Sequence, residues 1–90
     1  MYTLKYDYPD WVEYFQDAPD EIKKRFLKRR EKFKSFPTTG FRHSEKGLPY
    51  FVDEMGQYRV CFKSDENVKV RTFYFIGDHK EYEKFIGIRK

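Results

Sequence analysis

The sequence predicts an α+β protein in which a small, mostly antiparallel β-sheet packs against an N-terminal helical hairpin. Residues 57–63 alternate apolar and polar side chains, which is typical of a strand with two different faces. Residues 73–76 are apolar on both faces, as in a central strand that is covered on both sides. Residues 11–15 and 22–36 carry apolar side chains at helical spacings.

These patterns predict the order β-α-α-β-β-β with a short C-terminal helical turn. Tyr2 to Tyr6 alternates as an opening strand, and a first helix follows the turn at residues 7–10. A second helix is predicted from about Pro19 to Ser35, with Asp17 or Ala18 as its N-cap. Its apolar stripe is Ile22, Phe26, Phe33 and Phe36, with Leu27 beside it.

The second half of the chain predicts a meander of three strands. Residues 41–48 are polar and poorly patterned, and we expect a loop there. A strand at Pro49–Glu54 turns at Met55-Gly56 into the strand that contains Arg59. If the next hairpin turns at residues 65–67, Arg59 lies opposite Phe73, and Arg59 and His79 are separated along the sheet. Asp78 is the expected cap of a closing helical turn, with Tyr82, Phe85 and Ile86 facing inward.

Length and composition limit the possible classes of protein. Ninety residues predict a single domain that spans residues 1–90. One cysteine, Cys61, excludes an internal disulfide and a cysteine-rich zinc site. No apolar run is long enough to cross a membrane, and the first residues lack the apolar core of a signal peptide, so we expect a cytoplasmic protein. No phosphate-binding loop and no metal-binding motif is present, and no cofactor or metal is predicted.

Positive charge is concentrated in the second helix. Residues 1–20 carry one base against five acids, whereas residues 21–46 carry ten bases against three acids. Within residues 23–34 there are eight bases and one acid, so bases four positions apart repel each other instead of pairing with acids. A solvated helix face is one interpretation. Binding of a polyanion or an acidic protein is the interpretation that we favour.

Candidate site residues follow the central strand. His79 and Lys80 come directly after Gly77, where the strand leaves the sheet. Arg59 is either the partner of Asp53 or Glu54 in a structural ion pair, or a bidentate clamp for a phosphate. Asp53 and Glu54 are adjacent in a strand and therefore point to opposite faces.

The chain resembles the RelE/ParE toxins of type II toxin–antitoxin systems. The resemblance rests on the turn glycine Gly56, on Tyr58-Arg59-Val60, on the core strand from Val68 to Ile76, and on Gly77, His79 and Tyr82 at the end of that strand. It covers nearly the whole chain in order and length. It implies a metal-independent endoribonuclease that cleaves mRNA at the ribosome and is neutralised by a cognate antitoxin.

The resemblance also implies roles for individual residues. Arg59 would hold the scissile phosphate, His79 would act as acid or base, and Tyr82 or Phe85 would stack on or orient the nucleotide. The RNA-contacting residues that it implies are Lys23, Lys24, Lys28, Arg29, Arg42, His43, Lys46, Lys80 and Phe85. Asp53 and Glu54 stand where the RelE prototype has lysines, so the general base would be His43, Lys46, Lys80 or His79 itself.

Two alternative functions fit the same residues. The ParE branch shares the fold, lacks the nuclease residues and inhibits DNA gyrase, whereas His79 after Gly77 favours the nuclease branch. A non-catalytic basic RNA-binding domain is supported by the charge pattern, although no RNA-binding motif is present.

Overall fold

The computed structural model describes residues 1–44 and 47–87, and within these ranges it contains five strands, four α-helices and a short 3-10 helix at Thr38–Gly40. Their bounds are β1 (Thr3–Tyr6), α1 (Asp10–Asp17), α2 (Asp20–Lys28), α3 (Arg30–Ser35), β2 (Arg42–His43), β3 (Phe51–Met55), β4 (Tyr58–Asp65), β5 (Val70–Asp78) and α4 (His79–Phe85). The predicted α+β class, with an opening strand, then helices and then a strand meander, is confirmed.

The strands form one sheet in the order β1-β5-β4-β3-β2. β1 pairs with β5 in parallel, and the other neighbours are antiparallel, so the sheet is mostly antiparallel as predicted. β2 lies in the segment for which we expected a loop. Its two residues, Arg42 and His43, pair with Val52 and Phe51. A strand of two residues is too short to show an alternating pattern, and the sequence therefore did not reveal it.

Both faces of the central strands are covered. The N-terminal helices pack on one face, where Trp11, Phe26, Phe33, Phe62 and Phe73 are buried in one cluster. α4 packs on the other face, where Val52, Cys61, Phe75, Tyr82 and Ile86 form a second cluster. The expected separation of Val60 and Phe62 from Cys61 onto opposite faces of β4 is thereby confirmed.

The second helix differs from its prediction at two points. Pro19, not Asp17 or Ala18, is the N-cap, and its carbonyl accepts from the backbone N–H groups of Ile22 and Lys23. The helix is also interrupted at Arg29, whose φ and ψ are −82° and −3°. The interruption divides the predicted Pro19–Ser35 helix into α2 and α3. Phe33 stays fully buried after the interruption, whereas Phe36 is 44% exposed.

The register of the β4–β5 hairpin corrects another prediction. Asp65 pairs with Val70, so the turn occupies residues 66–69, and Lys69 takes a left-handed conformation with a φ of 59°. This turn is longer than the predicted one, and an irregularity between Cys61 and Phe62 accompanies it. Arg59 consequently lies opposite Gly77 and not opposite Phe73. The longer turn thus brings the end of β5 alongside Arg59.

Candidate active site

A cavity of about 610 Å³ opens where the β3–β4 turn meets the junction of β5 with α4. Glu54, Gly56, Gln57 and Arg59 line it from the hairpin, and Asp78, His79 and Lys80 line it from the junction. The expected separation of Arg59 from His79 is therefore wrong. The two residues line one cavity because the hairpin register differs from the prediction by four positions.

Arg59 is held in the cavity wall by a ring and a carboxylate. Its guanidinium carbon lies 4.7 Å from the centroid of the Tyr82 ring. Its Nη2 lies 3.5 Å from Oε2 of Glu54, so the ion pair considered in the sequence analysis is formed with Glu54. The Arg59 side chain is 19% exposed. A guanidinium that is supported on one side and open on another is suited to binding a phosphate.

The junction that carries His79 has a fixed backbone. Asp78 caps α4 as predicted, and its Oδ1 accepts a hydrogen bond of 2.9 Å from the backbone N–H of Glu81. Oε1 of Glu81 in turn accepts a hydrogen bond of 2.8 Å from the backbone N–H of Asp78, which completes a capping box. His79 begins the helix, its side chain is 58% exposed, and its Nε2 lies 2.9 Å from Oε2 of Glu83.

Tyr58 lies next to this junction on β4. Burial raises the pKa of its hydroxyl, and the nearby carboxylates of Asp78 and Glu81 raise it further. Because the ordinary pKa of tyrosine is already about 10, the Tyr58 hydroxyl stays protonated at neutral pH.

Glu54 is a cavity residue to which the sequence analysis gave no role at the site. Its Oε2 lies 3.0 Å from Nη2 of Arg42 in addition to the contact with Arg59. The neighbouring Asp53 points to the opposite face, as expected, where it is 7% exposed and pairs with Lys32 at 2.8 Å and Arg29 at 3.3 Å. Strand alternation places Glu54 on the same face as Arg59, and this signal was available from the sequence.

Two aromatic residues expected to contact a nucleotide are packed in the protein. Tyr82 is 1% exposed, and its ring supports the guanidinium of Arg59. Phe85 stacks on Phe75 at a centroid distance of 4.7 Å and also contacts Tyr50. Tyr82 thus acts on the cavity through Arg59, whereas Phe85 belongs to the packing between α4 and the sheet.

The predicted RNA-contacting bases occupy several places. Lys24, Lys28, Arg42 and His43 are exposed, and Lys80 lines the cavity. Lys23 is partly buried and lies 3.9 Å from Asp20. Arg29 is directed into the protein, where it pairs with Asp53 and donates to the carbonyl oxygen of Glu54 at 2.9 Å. Lys46 lies outside the described residues.

Arg25 connects the basic helix to the cavity. Its Nη1 lies 3.2 Å from the position that a Cβ atom on Gly56 would occupy, and Gly56 lines the cavity. Gly56 has a φ of 62°, which favours glycine and confirms the predicted turn. The exposed bases of α2 therefore continue to the rim of the cavity through Arg25.

Two kinds of structural feature are absent from residues 1–44 and 47–87. No group of three or more His, Cys, Asp or Glu side chains there is arranged to hold a metal ion. No helix in the same ranges has the length and apolar character needed to cross a membrane.

The chain matches no family model, and none of the curated proteins matches it. Solved structures do match. The toxin–antitoxin complex RelBE2 of Mycobacterium tuberculosis aligns with a TM-score of 0.75 at 12% identity, over 87% of this chain and 98% of that chain. The isolated Escherichia coli RelE toxin aligns with a TM-score of 0.71 at 13% identity, over 99% of this chain and 100% of that chain. The RelE–RelB complex of Pyrococcus horikoshii aligns with a TM-score of 0.65 at 22% identity, over 86% of this chain and 93% of that chain.

The fold and the cavity define a small α+β protein with a site of charged side chains of both signs at the end of its central strands. The three solved structures above share this architecture. The chain therefore has a RelE-like toxin fold.

Proposed function

We propose that this protein is the toxin of a type II toxin–antitoxin system and acts as a metal-independent endoribonuclease on mRNA at the ribosome. One observation carries the proposal: within a RelE-like toxin fold, Arg59 and His79 line the same open cavity. A fold can serve several functions, so the activity is argued from this site and not from the fold alone.

The reaction requires a cation and two proton-transfer groups. The 2′-oxygen of a ribose attacks the adjacent phosphorus, the bond from phosphorus to the 5′-oxygen breaks, and a 2′,3′-cyclic phosphate is left. Arg59 would hold the phosphate and stabilise the negative charge that develops on its oxygens. His79 would transfer a proton to or from the reacting oxygens, since an imidazole ring can both donate and accept a proton.

The proposed partners are mRNA, ribosomal RNA and a cognate antitoxin, and the proposed location is the cytoplasm. The exposed bases of α2, including Lys24 and Lys28, would contact RNA phosphates regardless of base sequence. Beside this basic face lies an apolar groove that includes Leu27, which is 45% exposed, and Phe15. An acidic amphipathic segment of an antitoxin would complement both the groove and the charge.

The first experiment is induction of the wild type, Arg59→Ala and His79→Ala in bacterial cells, with primer extension on a reporter mRNA. We expect cleavage within translated codons by the wild type and a loss of roughly 10²–10⁴-fold in each variant, because each removes a group that acts on the reacting phosphate. Lys5→Ala, an exposed change on β1, is the control and should leave cleavage intact. Thermal unfolding of the purified variants verifies that they remain folded.

The alternatives give different outcomes in this experiment. Growth arrest with intact mRNA would favour gyrase inhibition of the ParE kind, and gyrase supercoiling would be assayed next. RNA binding without cleavage, unaffected by His79→Ala, would favour a plain RNA-binding domain. Folded Arg59→Ala and His79→Ala variants that cleave at the wild-type rate would refute the site.

A further inference from the structure

We propose that Glu54 is the general base of the reaction, which makes His79 the general acid. The proposal rests on the proposed function and goes beyond it, because it assigns the proton-transfer steps to two specific residues. Its basis is that Glu54, Arg59 and His79 line one cavity and come from three elements, β3, β4 and the first turn of α4. Glu54 was not a candidate for the base in the sequence analysis.

Strand order places Arg59 between the other two residues. Glu54 is on β3 and is the cross-strand partner of Arg59 on β4. On the other side of β4, Arg59 pairs with Gly77 of β5, two residues before His79. In an in-line displacement at phosphorus, the attacking and leaving oxygens lie on opposite sides of the phosphate. A phosphate bound to Arg59 would therefore have the carboxylate on one side and the imidazole on the other.

The carboxylate of Glu54 is both oriented and accessible. Arg42 holds Oε2 at 3.0 Å from the β2 side, and Arg29 donates to the Glu54 backbone carbonyl at 2.9 Å. The side chain nevertheless remains 49% exposed. A base that is oriented by a third group and open to the substrate is the usual arrangement for activating a hydroxyl. Asp53, by contrast, is 7% exposed and ion-paired on the opposite face.

The proton balance of the step is complete. The carboxylate of Glu54 accepts the proton of the 2′-hydroxyl while the 2′-oxygen forms its bond to phosphorus. The bond to the 5′-oxygen breaks with its electron pair, and that oxygen takes the proton of a protonated His79. Glu54 ends protonated and His79 ends neutral, and proton exchange with water restores both groups.

A purely structural role for Glu54 predicts a different outcome. If Glu54 only neutralises Arg59, its removal frees the guanidinium for phosphate, and cleavage should be unchanged or faster. Glu54→Gln preserves the shape of the side chain and its ability to accept a hydrogen bond from Arg59 or Arg42, but it cannot take a proton at neutral pH. This substitution therefore separates the two roles.

The test measures single-turnover cleavage of mRNA on ribosomes by the full-length protein at saturating enzyme. We expect Glu54→Gln to slow cleavage by roughly 10²–10⁴-fold, with unchanged affinity for an mRNA carrying 2′-deoxyribose at the cleavage site. The cleavage rate reports the loss of the proton acceptor, and the affinity reports a loss of binding. Glu13→Gln, an exposed change on α1, is the matched control and should keep the wild-type rate and affinity.

The failures of the two proposals are distinguishable. A wild type that cleaves, together with a Glu54→Gln variant that cleaves equally fast, overturns the role of Glu54 alone. A fall confined to RNA affinity assigns Glu54 to binding and likewise overturns its role as base. A wild type that cleaves no mRNA overturns the proposed function and the role of Glu54 with it. Glu54→Asp, which keeps a carboxylate, should retain more activity than Glu54→Gln, and the reverse order also contradicts the proposal.

Discussion

Arg71 illustrates at the scale of single residues how alternation can mislead. The sequence places Arg71 with Lys69 on a polar face, yet the Arg71 side chain is fully buried. Its guanidinium donates to the carbonyl of Phe33 at 2.8 Å and lies 3.5 Å from the centroid of the Tyr2 ring. Burial lowers the pKa of Arg71, although an arginine remains charged at neutral pH. The residue joins β5 to α3 and to the N-terminal segment.

Glu66 completes this cluster from the β4–β5 turn. Its carboxylate accepts hydrogen bonds from the hydroxyls of Ser64 at 2.6 Å, Thr38, and Tyr2 at 2.5 Å. These contacts, with that of Ser64 the largest, lower the pKa of Glu66 from 4.5 to about 2. The hydroxyls thus stabilise the ionised carboxylate on a side chain that is 47% exposed.

Stability should consequently depend on the ionisation of Glu66. Because its pKa is lower in the folded protein, its contribution is fully present above about pH 4.5 and is lost as the pH falls towards about 2. We expect Glu66→Gln to be less stable than the wild type at neutral pH, and the difference to shrink between these two pH values. Urea unfolding of both proteins across pH 2–7 measures this difference in the free energy of unfolding. Ser64→Ala removes the largest cause of the lowered pKa of Glu66, so it should narrow the pH range over which this stability is lost. A stability difference between Glu66→Gln and the wild type that stays constant down to pH 2 would contradict the role of the ionised Glu66.

At the scale of elements, the sequence predicted which strands and helices exist better than how they align. The apolar residues of β4 and β5 correctly predicted a hairpin that is covered on both faces. The register could not be derived, because it depends on the length of the turn, and a left-handed lysine at position 69 lengthens that turn without a glycine to mark it. The interruption at Arg29 was also hidden, since its side-chain partners Asp53 and Glu54 come from a strand distant in sequence.

Gly77 shows how closely β5 and α4 approach each other. A Cβ atom at this position would lie 2.6 Å from Cζ of Phe75, 2.8 Å from Oε1 of Glu81 and 3.1 Å from Cβ of Glu81. Glu81 belongs to the capping box that begins α4, and His79 is part of the same first turn. The absence of a side chain at Gly77 therefore permits the geometry that holds His79 at the cavity.

We expect Gly77→Ala to destabilise the fold by about 1–3 kcal/mol, because the added methyl group must displace Phe75 or the start of α4. Cleavage should fall further than the loss of folded protein explains, since His79 moves with the helix. Thermal unfolding and the cleavage rate of the folded fraction measure the two effects. Gly40→Ala is the matched control, because its Cβ would be 3.5 Å from Phe36, an ordinary contact. A Gly77→Ala variant as stable and active as the wild type would show that α4 adjusts freely.

At the scale of the whole molecule, the sequence identified the charged surface and three of the cavity residues, Arg59, His79 and Lys80. Arg59 and His79 were recognised because short motifs carry them. Glu54 was not recognised, because alternation predicts only the face on which it lies, whereas its position opposite Arg59 depends on the register of β3 with β4. Local patterns can thus mark individual residues, whereas a site assembled from two strands and the start of a helix depends on how β3, β4 and β5 are aligned.

The basic face of α2 leads to a prediction about the whole molecule. Each lysine that contacts a phosphate releases a counterion, so log K for RNA binding falls with log salt by roughly 0.7 per contact for single strands. We expect Lys24→Gln with Lys28→Gln to weaken binding of single-stranded RNA and to reduce the slope by about 1.4, measured by fluorescence anisotropy across salt concentrations. Lys5→Gln with Lys69→Gln removes the same charge from β1 and the β4–β5 turn and is the matched control.

The same double variant separates binding from chemistry. At saturating RNA, Lys24→Gln with Lys28→Gln should cleave at the wild-type rate, because both lysines contact phosphates away from the cavity lined by Arg59 and His79. His79→Ala should do the opposite and lower the rate while leaving the salt slope unchanged. An unchanged slope in the double lysine variant would show that RNA does not contact α2. The basic face would then be left for an acidic protein partner, whose affinity the same substitutions should lower.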